Sequence, residues 1–163
     1  MKEMLLYCLI SDKKGAENVE KYVTQALARL NGLLSQTEAL YHRLARQLGL
    51  ADSAMRVLYI LLEADSPCAL TWLCACSGMS RQTVHSTLHG LEREGFLTLS
   101  LRDGKNKEVR LTQEGKALAA RTAGRLMQME NEVLASWDER EVETYLALTE
   151  RFLRDLQQKG QDR

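Results

Sequence analysis

The segment 98–112, TLSLRDGKNKEVRLT, constrains the fold most, because it predicts a β-hairpin in a chain whose other periodic segments are helical. Apolar and polar residues alternate on both sides of a glycine-centred tip, which is the pattern of two half-buried strands joined by a turn. Four cationic and two acidic residues lie within positions 102–110, so the tip is basic. We expect four apolar residues to anchor the strands to a core: Leu99, Leu101, Val109 and Leu111.

Two short helices are predicted directly before this hairpin. Ser80 is a suitable N-cap for a helix that Gly95 ends, and a shorter helix in ALTWLCAC ends before Gly78. Pro67 precedes the shorter helix, and proline can begin a helix but cannot continue one. Two short helices joined by a tight turn that contains glycine are typical of a helix-turn-helix.

Long amphipathic helices are predicted on both sides of this central part. From 17 to 48, apolar and small residues recur at spacings of three and four, which predicts one long helix with a coiled-coil-like stripe ended by Gly49. A further helix is predicted from about Ser53 to Ala64, and two helices parted near Asp138 follow the hairpin. The short apolar run 4–10 predicts a separate short helix or tail that packs on the rest.

The helix after Ser80 has two distinct faces when its residues are placed at about 100° each. Its apolar side chains fall in a narrow arc that must face the core, and these are Val84, Leu88 and Leu91. The opposite side and its flank carry polar side chains: Arg81, Gln82, His85, Ser86, His89 and Arg93. Gln and Ser can read base edges, Arg can bind guanine or phosphate, and His can do either. The helix N-terminus adds backbone N–H groups for a phosphate. An ordinary solvated helix is the alternative, and the adjacent hairpin favours the groove-reading interpretation.

The hairpin is interpreted as a wing that lies along the DNA backbone or enters the minor groove. Arg102, Lys105 and Lys107 would supply positive charge to phosphates, and Asn106 a polar contact. An ordinary charged hairpin tip is the alternative. The position of the hairpin directly after the helix-turn-helix favours the wing.

The segments MSRQTVHSTLHGLEREGFL and RDGKNKEVRLTQEGKAL resemble the winged helix of the MarR (multiple antibiotic resistance regulator) family. The shared elements are the apolar-Ser-x-x-Thr-Val start, the Leu-Glu-x-x-Gly end, the charged wing and the following Leu-Thr-x-x-Gly. The predicted class is mainly α with a small β-hairpin wing: a winged helix-turn-helix with long N- and C-terminal dimerisation helices. The predicted domains are N-terminal dimerisation helices (1–52), the DNA-binding winged helix-turn-helix (53–112) and C-terminal dimerisation helices (113–163).

The resemblance implies a homodimer that places two winged heads on a pseudo-palindromic DNA operator. By position, the recognition-helix contacts of the family correspond to Ser80, Arg81, Gln82, His85 and Ser86. The wing contacts correspond to Arg102, Asp103, Lys105 and Lys107. Lysines stand here where many members carry wing arginines, and a lysine binds phosphate as a point charge without the flat guanidinium fork.

The resemblance also implies a small-molecule pocket where the dimer helices meet the winged head, suited to a small aromatic or phenolic effector. Candidate lining residues are Tyr41, His42, Met55, Tyr59 and Trp72, and ordinary core packing is the alternative for each. Some members sense peroxide through an N-terminal cysteine, but the apolar neighbours of Cys8 favour a packing role over a redox sensor.

The remaining cysteines and histidines predict no further chemistry. Cys68, Cys74 and Cys76 are expected to be small buried residues, with Cys74 facing the core where the family has alanine. His85 and His89 have the spacing of metal ligands, but Cys74 and the histidines are predicted to face opposite ways, so we expect no metal or other cofactor.

The protein predicted from the sequence is a sequence-specific transcriptional regulator that binds double-stranded DNA. We expect it to act as a repressor and to be cytoplasmic. A thiol-based redox-sensing regulator, or a protein-interaction winged helix that has lost DNA binding, is the alternative, and the formal net charge of +0 supports the latter. No phosphate loop, carboxylate pair or nucleophile–base set is recognisable in the sequence, so an enzyme is not expected. No segment has the length of a membrane span.

Overall fold

The structure is a computed structural model that describes residues 2–64, 67–101 and 106–161, with side chains described from residue 18 onward. The chain divides into two units, Met1–Gly49 and Leu50–Arg163.

The first unit is one helix, α1 (Lys2–Gln47), followed by a turn at Gly49 with φ of 77°. The predicted long helix is confirmed, and it begins earlier than expected. The prediction of a separate short helix or tail for 4–10 is wrong, because this run continues into α1. Large apolar side chains are exposed along the helix from position 19 to position 40: Val19, Tyr22, Val23, Leu27, Leu33, Leu34 and Leu40.

The second unit is mostly helical with a small antiparallel sheet, as predicted. Its elements are α2 (Asp52–Glu63), β1 (Cys68–Ala69), α3 (Leu70–Ser77), α4 (Arg81–Arg93), β2 (Leu97–Leu101), β3 (Lys107–Leu111), α5 (Gln113–Arg121), α6 (Ala123–Ala135) and α7 (Glu139–Gln161). The strand order is β1-β3-β2, so β2 is an edge strand. In the hairpin, Leu99 lies opposite Val109.

The strand β1 was not predicted. It pairs with β3 through two residues, Cys68 opposite Val109 and Ala69 opposite Glu108. Two residues are too few for an alternating apolar pattern, and the sequence ALTWLCAC that follows is read as helix from its first residue. The helix α3 instead begins at Leu70.

The core is built around α2, which contacts α3, α4, α5 and α6. The largest fully buried side chains of this core come from α2, α3, α4 and both hairpin strands: Leu58, Leu61, Leu73, Leu88, Leu97, Val57, Val84, Val109 and Ser77. The prediction that Leu101 anchors the hairpin is wrong, because its side chain is 58% exposed. Leu97 is buried instead, and Leu99 is half-buried, since β2 leaves the core as it approaches the tip.

The segment after the hairpin contains one more break than predicted. Thr122 has φ of −118° and ψ of −84° and separates α5 from α6, where one helix was expected. Its buried hydroxyl donates to the carbonyl oxygen of Leu118 at 2.6 Å. The predicted break near Asp138 is confirmed. Oδ1 of Asp138 accepts a hydrogen bond from the backbone N–H of Glu141, and Oε2 of Glu141 accepts one from the N–H of Asp138, which caps α7.

Candidate nucleic-acid interface

The start of α4 is fixed by its cap. Oγ of Ser80 accepts a hydrogen bond from the backbone N–H of Thr83 at 3.1 Å, and the two hydroxyl oxygens lie 2.8 Å apart. The predicted N-cap is therefore confirmed. Such a cap satisfies one of the otherwise unpaired N–H groups at a helix start, and the first turn keeps a partial positive charge. The exposed side chain of Arg81 follows the cap directly.

The turn between α3 and α4 is held by several independent interactions. Gly78 has φ of 64°, a conformation in which side chains other than glycine are strained. Oγ of the buried Ser77 donates to the carbonyl oxygen of Cys74 at 3.1 Å and accepts from the N–H of Met79 at 3.2 Å. From α2, the guanidinium of Arg56 donates to the carbonyl oxygen of Ser77 at 2.9 Å. Side chains of α2 and α3 therefore hydrogen-bond to the backbone of this turn.

The predicted reading face of α4 lies at the protein surface. Five of its side chains are exposed, and His85 is half-buried; the exposed ones are Ser80, Arg81, Gln82, Ser86 and His89. The apolar side of the same helix is buried as predicted, with Val84, Leu88 and Leu91 at most 4% exposed. The fold therefore brings the six polar side chains to one helix surface. Their role as DNA contacts stays a prediction.

His85 and His89 lie one helical turn apart, with ring centroids 6.5 Å from each other and ring planes at 41°. Nδ1 of His89 lies 3.3 Å from Oε2 of Glu92. Within the described ranges, no group of three or more His, Cys, Asp and Glu side chains is arranged to hold a metal ion.

The junction between α4 and β2 is held by backbone contacts near Phe96. The sequence alone did not predict these contacts. Gly95 has φ of 80°, and the N–H of Phe96 donates to the carbonyl oxygen of Leu91 at 2.9 Å. A Cβ atom at Gly115 would lie 1.7 Å from the carbonyl oxygen of Phe96, so only glycine fits there. The two glycines of the Leu-Glu-x-x-Gly and Leu-Thr-x-x-Gly motifs therefore fix the direction in which the hairpin leaves α4.

The described part of the wing carries exposed polar side chains. Asn106, just before β3, and Lys107, its first residue, are exposed, and their contacts with the DNA backbone stay predictions. Arg102, Asp103 and Lys105 lie outside the described residues, and their predicted wing contacts stay predictions. Arg110 lies 3.6 Å from Glu108 on its own strand.

The candidate effector-pocket residues belong to both units. Tyr41 and His42 are exposed side chains of α1, in the first unit. In the second unit, Met55 is buried, and the half-buried Tyr59 donates a hydrogen bond from its hydroxyl to Oε2 of Glu130 at 2.6 Å. Trp72 is 43% exposed on α3. Met55 and Tyr59 thus pack within the second unit, and the predicted pocket stays a prediction.

The cysteines differ more than the sequence indicated. Cys68 is buried, and its burial, together with Cys76 and Glu108 nearby, raises the pKa of its thiol to about 11. Cys74 is half-buried, consistent with a side chain turned partly towards the core. The prediction that Cys76 is buried is wrong, because it lies on the exposed side of α3. The side chain of Cys8 lies outside the described residues.

In the described part of the chain, no helix is long and apolar enough to cross a membrane.

The elements α3, α4, β2 and β3 form a winged helix-turn-helix. Two short helices, the second capped and polar on its exposed side, are followed by a hairpin.

Residues 48–106 match the family model of the MarR family. The match begins directly after α1 and runs through α2, the helix-turn-helix and the first hairpin strand, and it confirms the resemblance predicted from the sequence motifs. No curated protein matches the chain.

Solved structures of transcriptional regulators share the fold. A MarR-family regulator from Silicibacter pomeroyi superposes with a TM-score of 0.63 at 22% identity, covering 77% of this chain and 86% of that one. S. aureus MepR in a DNA complex superposes with a TM-score of 0.62 at 18% identity, covering 78% of this chain and 94% of that one. PcaV from Streptomyces coelicolor, in complex with its natural ligand, superposes with a TM-score of 0.58 at 22% identity, covering 75% of this chain and 89% of that one. The chain thus has the fold of MarR-family transcriptional regulators.

Proposed function

We propose that this protein is a sequence-specific, double-stranded-DNA-binding transcriptional regulator that acts as a homodimeric repressor on a pseudo-palindromic operator. The observation that carries the proposal is the surface of α4, where polar side chains from the capping Ser80 to His89 lie on the exposed side of a capped helix. An ordinary solvent-exposed helix carries mainly long Glu and Lys side chains, whereas Gln, Ser and His suit base edges. MepR, which shares the fold, has been solved with DNA.

The proposed contacts divide by chemistry. Ser80 and Arg81, at the positive end of the α4 dipole, bind a backbone phosphate. Gln82, His85 and Ser86 point along the major groove and read base edges, with His89 one turn further. On the wing, Lys107 and Asn106, together with Arg102, Asp103 and Lys105, contact the neighbouring backbone or the minor groove. Phosphate contacts position the head, and base contacts give it sequence preference.

The proposed dimer rests on apolar side chains that the single chain leaves exposed. On α7, they include Leu148, Phe152, Leu153 and Leu156, all at least 48% exposed. A row of this kind on a water-soluble helix marks a protein interface, and a second copy would bury it. Two heads related by a two-fold axis would then face two half-sites of a pseudo-palindromic operator.

A small aromatic or phenolic effector is proposed to release the DNA. PcaV, which shares the fold, has been solved with its natural ligand. The candidate residues for contact with an effector in the second unit are Met55, Tyr59 and Trp72. A ligand that changes the separation of the two heads would move the recognition helices out of register with the DNA grooves and weaken binding.

The proposal is tested by fluorescence anisotropy of the purified protein on labelled DNA from its own upstream region, compared with scrambled DNA at two salt concentrations. Binding that is selective and falls steeply with salt is expected, because phosphate contacts release counterions. Absence of salt-dependent DNA binding would contradict the proposal and favour a protein-interaction winged helix, which the net charge of +0 also allows.

A further inference from the structure

The carboxylate of Glu92, in the last turn of α4, makes two hydrogen bonds that connect different parts of the head. Oε1 accepts from the backbone N–H of Leu99 on β2 at 3.1 Å. Oε2 lies 3.3 Å from Nδ1 of His89 on the reading face. One side chain therefore contacts both the wing and the surface proposed to read DNA.

The bond to Leu99 meets a need of the sheet. Strand β2 lies at the sheet edge, and its other side is paired with β3. Every second N–H of an edge strand points away from the sheet and is open to pairing with another chain. Because Glu92 accepts a hydrogen bond from the N–H of Leu99, this N–H is no longer open to pairing with another chain. The same bond connects the wing strand β2 to α4.

The bond to His89 restricts the chemistry of the imidazole ring. An ionised carboxylate can only accept hydrogen bonds, so this contact favours the form of the ring in which Nδ1 carries a proton. In the neutral ring, Nε2 is then an acceptor, which suits the exocyclic amino group of adenine or cytosine in the major groove. The His89 side chain is 61% exposed and can present Nε2 to a partner.

We propose that Glu92 is a positioning residue with two roles. It holds His89 in its Nδ1–H form, so that Nε2 faces DNA as a hydrogen-bond acceptor. It also connects the wing strand β2 to α4 through its hydrogen bond with Leu99. The position of the His89 ring and of the wing strand follows from the two hydrogen bonds of Glu92. The effect on DNA binding rests on the proposed function. It makes base preference beneath His89 depend on a residue that itself contacts no base.

Two variants separate the two bonds. Glu92→Gln keeps an oxygen that can accept from Leu99, while its amide N–H favours a Nδ1 without a proton. Glu92→Ala removes both bonds. Glu94→Gln is the matched control, since Glu94 is an exposed neighbour and the change removes the same charge.

The first experiment needs no DNA. In ¹⁵N-resolved NMR of the full chain, the His89 ring is expected in the Nδ1–H form in the wild type and in Glu94→Gln, and to shift to the Nε2–H form in Glu92→Gln. Hydrogen exchange at the Leu99 amide is expected to rise at least about tenfold in Glu92→Ala and to stay unchanged in Glu92→Gln. An unchanged ring in Glu92→Gln, or an unchanged Leu99 amide in Glu92→Ala, would overturn the proposal.

The second experiment measures the consequence on operator and scrambled DNA by anisotropy. We expect His89→Ala to reduce the preference for operator by about fivefold, the size of a single lost base contact. Glu92→Gln should reduce it similarly, and should add no further loss in a His89→Ala background. Independent, additive losses would contradict the inference. If the wild type bound no DNA while the NMR results were as expected, the proposed function would fail and the role of Glu92 in holding His89 would stand.

Discussion

The helices α4 and α7 have the same kind of sequence and opposite surroundings. Both are amphipathic, with apolar residues at helical spacing. In α4 the apolar side is covered by the core, with Val84 at 0% and Leu88 at 1% exposure. In α7, which the structure describes throughout, no side chain is buried, and Leu148, Leu153 and Leu156 are 56–59% exposed.

The difference shows what an apolar stripe can and cannot predict. Periodicity identifies the face of a helix that avoids water, but it carries no information about what covers that face. For α4 the covering residues lie in the same chain, and the polar side is left exposed. For α7 the apolar side is left uncovered, with a local edge-to-face contact between Trp137 and Tyr145 at 5.6 Å. A second chain is the partner that we propose.

The largest expected effect is on the covered side of α4. Leu88→Ala should lower the free energy of unfolding by about 2–5 kcal/mol, because it removes buried methyl groups and leaves a cavity. Urea denaturation followed by circular dichroism measures this loss. Ser86→Ala, on the exposed side of the same helix, should change stability by no more than about 0.5 kcal/mol. Equal losses would contradict the division of α4 into a core side and a reading side.

On α7, a comparable change should affect association and leave the fold intact. Leu153→Glu places a charge in the proposed dimer interface and should raise the dimer dissociation constant at least about tenfold. Sedimentation velocity over a range of protein concentrations measures this constant. Gln158→Glu, on the opposite side of α7, is the control and should leave it within about twofold. A Leu153→Glu protein that dimerises normally would rule out this face as the interface.

The reading side of α4 should control sequence preference. Gln82→Ala combined with His85→Ala should reduce the ratio of operator to scrambled-DNA affinity at least about tenfold, because base-edge contacts carry specificity. The affinity for scrambled DNA should change by less than about threefold, since phosphate contacts remain. Anisotropy titrations on both DNAs measure the ratio. An unchanged ratio would show that this surface does not read bases.

The wing should act on all DNA sequences alike. Lys107→Glu should weaken operator and scrambled DNA by similar factors and lower the slope of log affinity against log salt by about one unit or more. The same change at Lys105 is expected to act in the same way. Arg140→Glu on α7 reverses a charge outside the head and is the control. Normal binding and an unchanged salt slope for Lys107→Glu would leave the wing without a role in DNA binding.

The smallest effect concerns the cysteines, which show the same contrast between covered and uncovered side chains. At pH 8, iodoacetamide should modify Cys76 at least about tenfold faster than Cys68, because the thiolate is the reactive form and the Cys68 thiol has a pKa of about 11. Peptide mass spectrometry over time measures both rates. Faster modification of Cys68 would contradict its burial.

The same raised pKa gives a direction for stability. The folded chain holds the Cys68 proton more tightly than the unfolded chain, whose thiol has the ordinary value of 9.0. Its contribution to stability is therefore complete below pH 9 and is lost as the pH rises from about 9 to about 11. Cys68→Ala should reduce this part of the pH dependence.

The helix-turn-helix was predictable because each of its boundaries has a local signal. Ser80 caps α4, Gly78 and Gly95 adopt positive φ at the two turns, and alternation marks the hairpin. The exposed polar surface of α4 followed from the same periodicity. These features depend on residues close together in the chain.

The features that were missed depend on contacts between distant residues or on very short segments. The strand β1 has two residues, the break at Thr122 lies in a segment with a continuous helical pattern, and Leu101 lies at the strand end where the core stops. The bond from Glu92 to Leu99 joins two elements, and a glutamate in a helix carries no signal of its partner in a strand.

The central claim is that two copies of this chain place two α4 helices on one DNA duplex. Selection of binding sites from random-sequence DNA by the full-length protein tests it most directly. The account predicts enrichment of two half-sites related by two-fold symmetry, with centres about one helical turn, roughly 10 base pairs, or a multiple apart. Enrichment of a single half-site, or no enrichment over the starting pool, would contradict it.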